Sequence, residues 1–449
     1  MKKSILLIVL SNLLFSDNLT IYNSNFANIN SIKEFNVTDG INQLEFPNFP
    51  DTIITDSIVA NFSDNIRLLE QNFVSNRTDM LNLLNLNLNS DIKFFADKSR
   101  EKLKSGKLIN IDPITIMCDD GYYILEDAED IIYKNYPKNF SKTAIEWKLN
   151  AKSSQKETLE LNYLAKGYNW STNYVLTLND KSLNLKAFAT ITNGSGKDFK
   201  DANITLFAGK VNAPIRENRI NRVKSVKKRV LKAVSYSEDA PVMLESIEAK
   251  SISNYYKYDI PFSVTLLDGA SKQINIIDAK NIKYNTYALA SSNNFRNYGK
   301  QKLHFNKHIE FVNKKDNALG IAMPKGIIRV YKDTNYLGEN SISNTPNKEK
   351  VDIAIGQMFD VVGTKSITKY VVKDYYRSVQ TKYELRNRGK ESATIKIREQ
   401  VPRYGDNIKF SSNCKGECSK KDESAFVRVY TIKLKPKSSY KFNSSFEIN

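Results

Sequence analysis

Two histidines and a glutamate form a candidate set of metal ligands. His304 and His308 are the two histidines of the chain, and both lie in the run Leu-His-Phe-Asn-Lys-His-Ile-Glu that ends at Glu310. A spacing of four places both imidazoles on one face of a helix or a strand, and Glu310 shares that face if the segment is extended. Zinc accepts two imidazoles and a carboxylate. No cysteine or helix pattern supports the set, so surface histidines on a strand are the alternative interpretation.

A group of acidic residues offers oxygen ligands of the kind that calcium prefers. It consists of Asp119, Asp120, Glu126, Asp127, Glu129 and Asp130. The group lacks the Asp-x-Asp-x-Asp-Gly order of a calcium-binding loop. A solvated turn followed by the start of a helix is the better interpretation, because acidic residues are favoured in a first helical turn.

Cys414 and Cys418 lie in a polar loop with Gly416 between them. Glycine permits the reversal that brings two such cysteines within disulfide range, and we predict that they are bonded in an oxidising compartment. A redox or metal pair is the rival interpretation, although Cys-x-x-x-Cys lacks the two-residue spacing of a redox pair and no second pair of metal ligands accompanies it. Cys118 follows an apolar run and is predicted to be a buried thiol.

A basic segment carries eight positive charges between Arg216 and Lys232, countered by Glu217 alone. Such a run can bind anions, and the candidate residues are Arg222, Lys224, Lys227, Lys228 and Arg229. An acidic stretch reaches Glu248 shortly afterwards. The alternative is therefore a solvated insert that pairs with its own acidic end.

Several classes of chemistry have no support in the sequence. The Gly194-Ser195-Gly196 run lacks the spacing of a Gly-x-Ser-x-Gly nucleophile elbow. Nucleotide-binding glycine patterns do not occur, and we predict no cofactor. The formal net charge of +18 over 449 residues favours an acidic partner. No helix-turn-helix or zinc-finger pattern accompanies that charge, so nucleic acid is not the expected partner.

The N-terminus resembles a secretory signal. Two lysines precede an apolar stretch that runs from Ile5 to Phe15 and is too short to span a bilayer comfortably. Cleavage after Ser16 leaves a small residue at the end of the signal, and an uncleaved anchor is the alternative. No later stretch is apolar enough to span a membrane. The expected location is the periplasm or the cell exterior.

Alternating apolar and polar residues predict a mainly β fold of serial Ig-like sandwiches and small barrels with one or two short helices. The pattern is clear in Thr158 to Tyr163 and in Val379 to Arg386. Turn residues between such runs predict β-hairpins at Asp120-Gly121 and at Asn193 to Gly196. A short helix is predicted near Thr78 to Leu84. The predicted division is a signal at 1–16, modules at 19–133, 143–310 and 311–449, and the insert 216–248 within the second.

Three blocks of residues resemble the DUF4139 family, a bacterial domain of unknown function. The first runs from Tyr163 to Tyr174 and continues at Leu206 to Asn212; the second starts at Leu319-Gly320-Ile321-Ala322-Met323-Pro324; the third covers Gly356 to Gly363 and Glu384 to Asn387. The resemblance extends over about residues 140–449. It implies an exported, β-rich protein with Ig-like sandwiches and carries over no reaction or site residue.

We therefore expect an exported, non-catalytic binding or scaffolding protein of the bacterial envelope. Its partner would be an envelope protein or an anionic envelope polymer. The alternative is an envelope hydrolase or metal-dependent enzyme that uses the His304 and His308 region.

Overall fold

The computed structural model describes residues 16–74, 80–97, 99–135, 143–209, 211, 249–252, 255–293, 299–373, 376–403 and 407–448. In this part of the chain there is one α-helix, α1 (Met80–Asn87), together with two 3-10 helices, Thr55–Ser57 and Lys315–Asn317. Most of the rest is β-strand. The mainly β fold is therefore confirmed.

The strands follow one another along the chain with short connections. Those before residue 270 are β1 (Asn18–Tyr22), β2 (Phe26–Val37), β3 (Gly40–Phe49), β4 (Val59–Asn61), β5 (Ile66–Val74), β6 (Asp91–Phe95), β7 (Leu103–Ile111), β8 (Ile114–Cys118), β9 (Gly121–Leu125), β10 (Ile131–Ile132), β11 (Thr143–Ala151), β12 (Gln155–Lys166), β13 (Tyr168–Leu178), β14 (Leu183–Asn193), β15 (Phe199–Ala208), β16 (Ala249–Ile252), β17 (Tyr255–Asp259) and β18 (Val264–Leu266). Those after it are β19 (Ser271–Ile282), β20 (Asn285–Asn293), β21 (Lys300–Leu303), β22 (Asn306–Val312), β23 (Gly326–Lys332), β24 (Asn335–Ile342), β25 (Lys350–Gln357), β26 (Val361–Lys373), β27 (Tyr376–Asn387), β28 (Ala393–Gln400), β29 (Ile408–Ser412), β30 (Cys418–Ser424), β31 (Val427–Leu434) and β32 (Ser439–Ile448).

The chain divides into two compact units. The first takes its residues from Met1–Trp170, Ile191–Asn218 and Asp259–Lys272, and the second from Ser171–Thr190, Arg219–Tyr258 and Gln273–Asn449. These two units group the chain differently from the three modules predicted above, whose boundaries stay a prediction.

The first unit contains three sheets. The largest has the order β15-β1-β2-β12-β4, with β18 also paired to β15, and the others are β10-β6-β7-β8-β9 and β3-β11-β5. From Glu157 onward strand β12 alternates buried residues with exposed or half-buried ones, as its sequence pattern predicts. Trp147 on β11 is fully buried and donates its indole N–H to Gln71 Oε1 at 2.8 Å, so its one polar atom is satisfied inside the unit.

The second unit contains the sandwich that holds the candidate site. One sheet has the order β25-β22-β20-β28-β31-β30 and its partner has the order β21-β26-β27-β32-β29. Both contribute inward-facing side chains to a single core that includes Phe305, Tyr383, Ile395, Tyr430 and Phe442. Two antiparallel-rich sheets that share one apolar core are a β-sandwich. A further sheet has the order β19-β14-β13-β23-β24, and its last two strands follow β22 in the chain.

The two predicted turns have different outcomes. Asp119 and Asp120 connect β8 to β9, which pair antiparallel from Cys118 and Gly121 onward, so this hairpin is confirmed. Asn193 to Gly196 also form a turn, but β14 and β15 belong to different sheets. The hairpin predicted there is wrong, because a Gly-rich turn reverses the chain without determining which strand the next segment will pair with.

Gly167 makes the sharp turn between β12 and β13. Its φ of +88° lies in the left-handed region, and a Cβ atom there would approach the Gly194 carbonyl oxygen to 2.6 Å. Glycine is therefore required at this position on both counts. Three residues later Trp170 is buried and donates its indole N–H to the Phe207 carbonyl at 3.1 Å.

Candidate functional site

A cavity of about 560 Å³ lies within the second unit. Its lining comes from β20, β21, β22, β26 and the turn between β21 and β22. The lining residues are Leu289, Ser291, Asn293, Gln301, Lys302, Leu303, His304, Asn306, His308 and Lys365. Among these described lining residues none carries a carboxylate, whereas four carry an ammonium or an imidazole. The cavity is thus bordered by hydrogen-bond donors and cationic groups.

The strand register explains why these side chains meet. Strands β20 and β22 are antiparallel, with Tyr287 opposite His308 and Leu289 opposite Asn306. Residues directly opposite one another, and those two positions further along, share a face of the sheet. Leu289, Asn306 and His308 therefore lie on one face.

His304 is held at the turn before β22. The next residue, Phe305, is buried in the sandwich core, and its carbonyl accepts a hydrogen bond from Met358 N at 2.8 Å. His304 itself is exposed, and its Nδ1 lies 3.3 Å from Gln357 Nε2. The buried phenylalanine anchors the turn that presents this imidazole to the cavity.

His308 is oriented by a carboxylate on the neighbouring strand. Its Nδ1 lies 2.8 Å from Asp352 Oδ1, and the Tyr287 hydroxyl donates to Asp352 Oδ2. The Tyr287 ring stacks on the imidazole with centroids 5.0 Å apart. Because a carboxylate only accepts, Nδ1 carries the proton, and Nε2 is the nitrogen through which His308 can bond a ligand. Burial, reinforced by the bond to Asp352, raises the pKa of the Tyr287 phenol.

Glu310 is paired with two lysines. Its Oε2 lies 3.1 Å from Lys350 Nζ and 3.3 Å from Lys396 Nζ. The Lys396 ammonium also lies 3.4 Å from the centre of the Tyr287 ring, a cation–π contact. The carboxylate of Glu310 thus belongs to an ion-pair network on the sheet rather than to the cavity lining.

The predicted zinc ligands are therefore placed separately. His308 and Glu310 lie on β22, as the extended interpretation requires, while His304 lies in the turn before it. No group of three histidine, cysteine or carboxylate side chains that could hold a metal occurs in the described part of the chain. This holds for the acidic group as well. Residues 126–130 form a turn instead of the expected helix start, because Asp127 Oδ1 accepts the Glu129 backbone N–H at 2.9 Å and Ala128 packs inward.

Lys365 is a buried member of the cavity lining. It lies on β26 between Gln301 of β21 and Tyr383 of β27, and its side chain is 6% exposed. Its ammonium donates to the Asn293 carbonyl at 2.6 Å. Burial lowers the pKa of this amine, and the negative charge of Glu399 opposes that shift.

Behind Lys365 lies a polar cluster inside the sandwich core. Glu399 is fully buried and accepts hydrogen bonds from the Tyr383 hydroxyl at 2.8 Å and the Ser444 hydroxyl at 2.7 Å. The Tyr383 hydroxyl is also 2.8 Å from the Ser292 hydroxyl. Burial raises the pKa of Glu399 in spite of these donors. The sequence interpretation missed both Lys365 and Glu399.

The remaining predicted sites divide between those the structure describes and those it does not. Cys414 and Cys418 are joined, with an S–S distance of 2.07 Å, so the predicted disulfide pair is confirmed, and Cys118 is a free, half-buried thiol. The basic residues Arg222, Lys224, Lys227, Lys228 and Arg229, and the predicted signal through residue 15, lie outside the described residues.

No helix among the described residues is long and apolar enough to cross a membrane.

Comparison with known proteins gives one family. Residues 159–449 match the family model described as "Domain of unknown function (DUF4139)". The matched region contains the whole cavity lining, the buried cluster around Glu399 and the disulfide. No curated protein matches the chain.

Proposed function

The chain belongs to the DUF4139 family, and from this premise we propose that it is an exported, non-catalytic binding protein of the bacterial envelope. Its sandwich cavity would hold an anionic group of an envelope polymer. The observation that carries this proposal is the composition of the cavity wall. Lys302, Lys365, His304 and His308 line it, and the described lining contains no carboxylate.

The chemistry of these groups suits phosphate or carboxylate oxygens. Ammonium groups supply charge, and imidazole and amide N–H groups supply directed hydrogen bonds, which are shorter and stronger when the acceptor is ionised. Asn306 and Gln301 provide such amides between the cationic residues. The net charge of +18 adds a long-range attraction that speeds encounter with a polyanion.

The proposed location follows from the N-terminal sequence. Two lysines and a short apolar run resemble a secretory signal, and an exported protein meets the acidic polymers of the envelope rather than nucleic acid. Mass determination of the exported protein tests this step, and we expect it to begin at Asp17 or a close neighbour. A mature protein that still carries Met1 would contradict it.

An envelope hydrolase is a second candidate because of one contact. The hydrogen bond from His308 to Asp352 fixes an imidazole beside a cavity, as general bases in hydrolases are fixed. Release of phosphate or of reducing ends from an envelope polymer, lost in His308→Gln, would favour this candidate over simple binding.

Calorimetric titration with short poly(glycerol phosphate) tests the binding proposal. The full chain should bind it, should ignore neutral dextran, and should bind more weakly as salt concentration rises. Lys302→Gln should weaken binding about 3- to 10-fold, since one charge-assisted contact is lost. Lys300→Gln is the matched control, because Lys300 lies on the same strand with the same charge but outside the cavity lining. Equal effects of the two substitutions would contradict the cavity as the binding site.

A further inference from the structure

Lys365 combines two properties that are seldom found together in a lysine. Its side chain is 6% exposed, which is rare for this residue type, yet it lines a cavity that is open to solvent. The other lysine of the cavity lining, Lys302, is exposed. A small molecule that enters the cavity therefore meets an amine that is largely shielded from bulk water.

The surroundings of this amine favour its neutral form. One of its hydrogen bonds goes to the Asn293 carbonyl, an uncharged group that a neutral amine can bond as well as an ammonium can. Burial penalises the charged form and lowers the pKa. The negative charge of Glu399 opposes part of the decrease in the pKa of Lys365. The Glu399 carboxyl is itself fully buried, however, and its own pKa is raised. A larger fraction of Lys365 is thus unprotonated near neutral pH than of an exposed lysine.

The neighbouring strand β27 places a hydroxyl group, which can donate and accept protons, beside Lys365. Lys365 lies directly opposite Tyr383 in the β26–β27 pair, so the two side chains share the inward face. The Tyr383 hydroxyl is bonded to Glu399 and to Ser292. On the outer side His304 and His308 border the same cavity.

We propose that Lys365 is a nucleophilic amine that condenses with the aldehyde or ketone group of an anionic ligand in the sandwich cavity. This inference rests on the proposed function, because the cationic side chains of the cavity lining bind the anionic group of the ligand. Lys365 then forms a covalent bond to the carbonyl group of the same ligand. The ligand class is a small anionic carbonyl compound, such as an open-chain sugar phosphate or the reducing end of a phosphorylated saccharide.

The step is a condensation without oxidation or reduction. The Lys365 nitrogen lone pair attacks the carbonyl carbon, and the carbonyl π electrons move to oxygen. One proton moves from the nitrogen to this oxygen, which gives a carbinolamine. The carbinolamine then loses its hydroxyl and the one remaining N–H hydrogen as a water molecule, and a carbon–nitrogen double bond remains. The reaction is reversible, and buried lysines with depressed pKa values are the ones that carry it.

Reductive trapping tests the proposal with an anionic aldehyde as probe. The full chain is incubated at pH 7 with equimolar pyridoxal 5′-phosphate and cyanoborohydride, digested and mapped by mass spectrometry. We expect the peptide containing Lys365 to carry at least about tenfold more label than those containing Lys300 or Lys302, because exposed lysines are protonated at this pH. The ratio should fall as pH approaches 10.

Two comparisons separate the covalent step from anion binding. Lys365→Arg keeps the charge and should lose the label, and the measurement on the unaltered chain remains decisive if this variant does not fold. Pyridoxine 5′-phosphate, which has no aldehyde, should bind by calorimetry and suppress labelling. Its binding without selective labelling of Lys365 would overturn the inference and leave the proposed function standing. Selective labelling of Lys365 without binding of poly(glycerol phosphate) would contradict the proposed function and leave the inference about Lys365 standing.

Discussion

His308 Nδ1 lies 2.8 Å from Asp352 Oδ1, although the two residues are 44 positions apart in sequence. The contact is possible because β22 and β25 are antiparallel neighbours and Glu310 pairs with Asp352, which places His308 diagonally across from it. The carboxylate also accepts the hydroxyl of Tyr287, whose ring is buried. Asp352, on the neighbouring strand, thus fixes the orientation of the His308 imidazole that lines the cavity.

Replacement of Asp352 should therefore leave a buried hydroxyl without its acceptor. We expect Asp352→Ala to lower the free energy of unfolding by about 1–3 kcal/mol, the cost of such an unsatisfied group. In the background of Tyr287→Phe the same substitution should cost clearly less, because the hydroxyl is no longer there. Urea unfolding of the four proteins measures this coupling. Glu349→Gln, an exposed acidic position beside β25, is the control, and additive effects would contradict the arrangement.

Glu399 should make the sandwich more stable at acidic than at alkaline pH. Because its pKa is raised in the folded protein, its protonated form is the one that folding favours. Its contribution is present below the ordinary glutamate pKa and is lost as pH rises through the raised value. Glu399→Gln removes this titration and keeps an acceptor for Tyr383 and Ser444. The Tm of the variant relative to that of the parent should rise from pH 4 to pH 8. A constant Tm difference would show that titration of Glu399 is not the cause of the pH dependence.

The disulfide should stabilise its loop more than its domain. Bonding Cys414 to Cys418 closes a loop of about five residues, which in the chain-entropy model is worth about 2 kcal/mol. Cys414→Ser combined with Cys418→Ser should lower stability by no more than this amount, and hydrogen exchange should rise mainly around Lys415, whose carbonyl accepts from the Tyr440 hydroxyl. Alkylation of both thiols without reductant in the exported protein would contradict the bond.

The basic segment gives a prediction that is independent of the cavity. If Arg216 to Lys232 binds anions, replacing Lys227, Lys228 and Arg229 by Gln should weaken retention on poly(glycerol phosphate) resin and reduce its salt dependence. The same three substitutions should leave reductive labelling of Lys365 unchanged. Unaltered retention would favour a solvated insert that pairs with its own acidic end.

Strand periodicity predicted the fold well because alternation directly reports a half-buried sheet. Val379, Thr381, Tyr383 and Leu385 alternate with polar residues in the sequence and are all buried on β27. What alternation does not report is which sheet a strand joins, since pairing is decided by distant residues. The wrong hairpin at Asn193 to Gly196 arose in this way.

The candidate site was predicted only in part, for a related reason. Histidine is recognisable in a sequence as a ligand and acid–base residue, so His304 and His308 were predicted as site residues. Asp352 lies 44 residues away from His308, and nothing in the local sequence indicated their contact. Glu399 did carry a signal, because it is in phase with Ile395 and Ile397 and therefore had to face the core. Lys365 shares the inward phase of Val361 and Gly363 in the same manner.

Strand β1 lies between β2 and β15 and runs parallel to β15, with Asn18 opposite Asn203. The first strand among the described residues is thus paired with one that is synthesised some 185 residues later. Such a pairing must wait for the closure of a long loop, which makes it slow and sensitive to the order in which segments appear. A chain that emerges from its N-terminus onward cannot close this sheet until β15 has emerged as well, so the largest sheet of the first unit stays open throughout that interval.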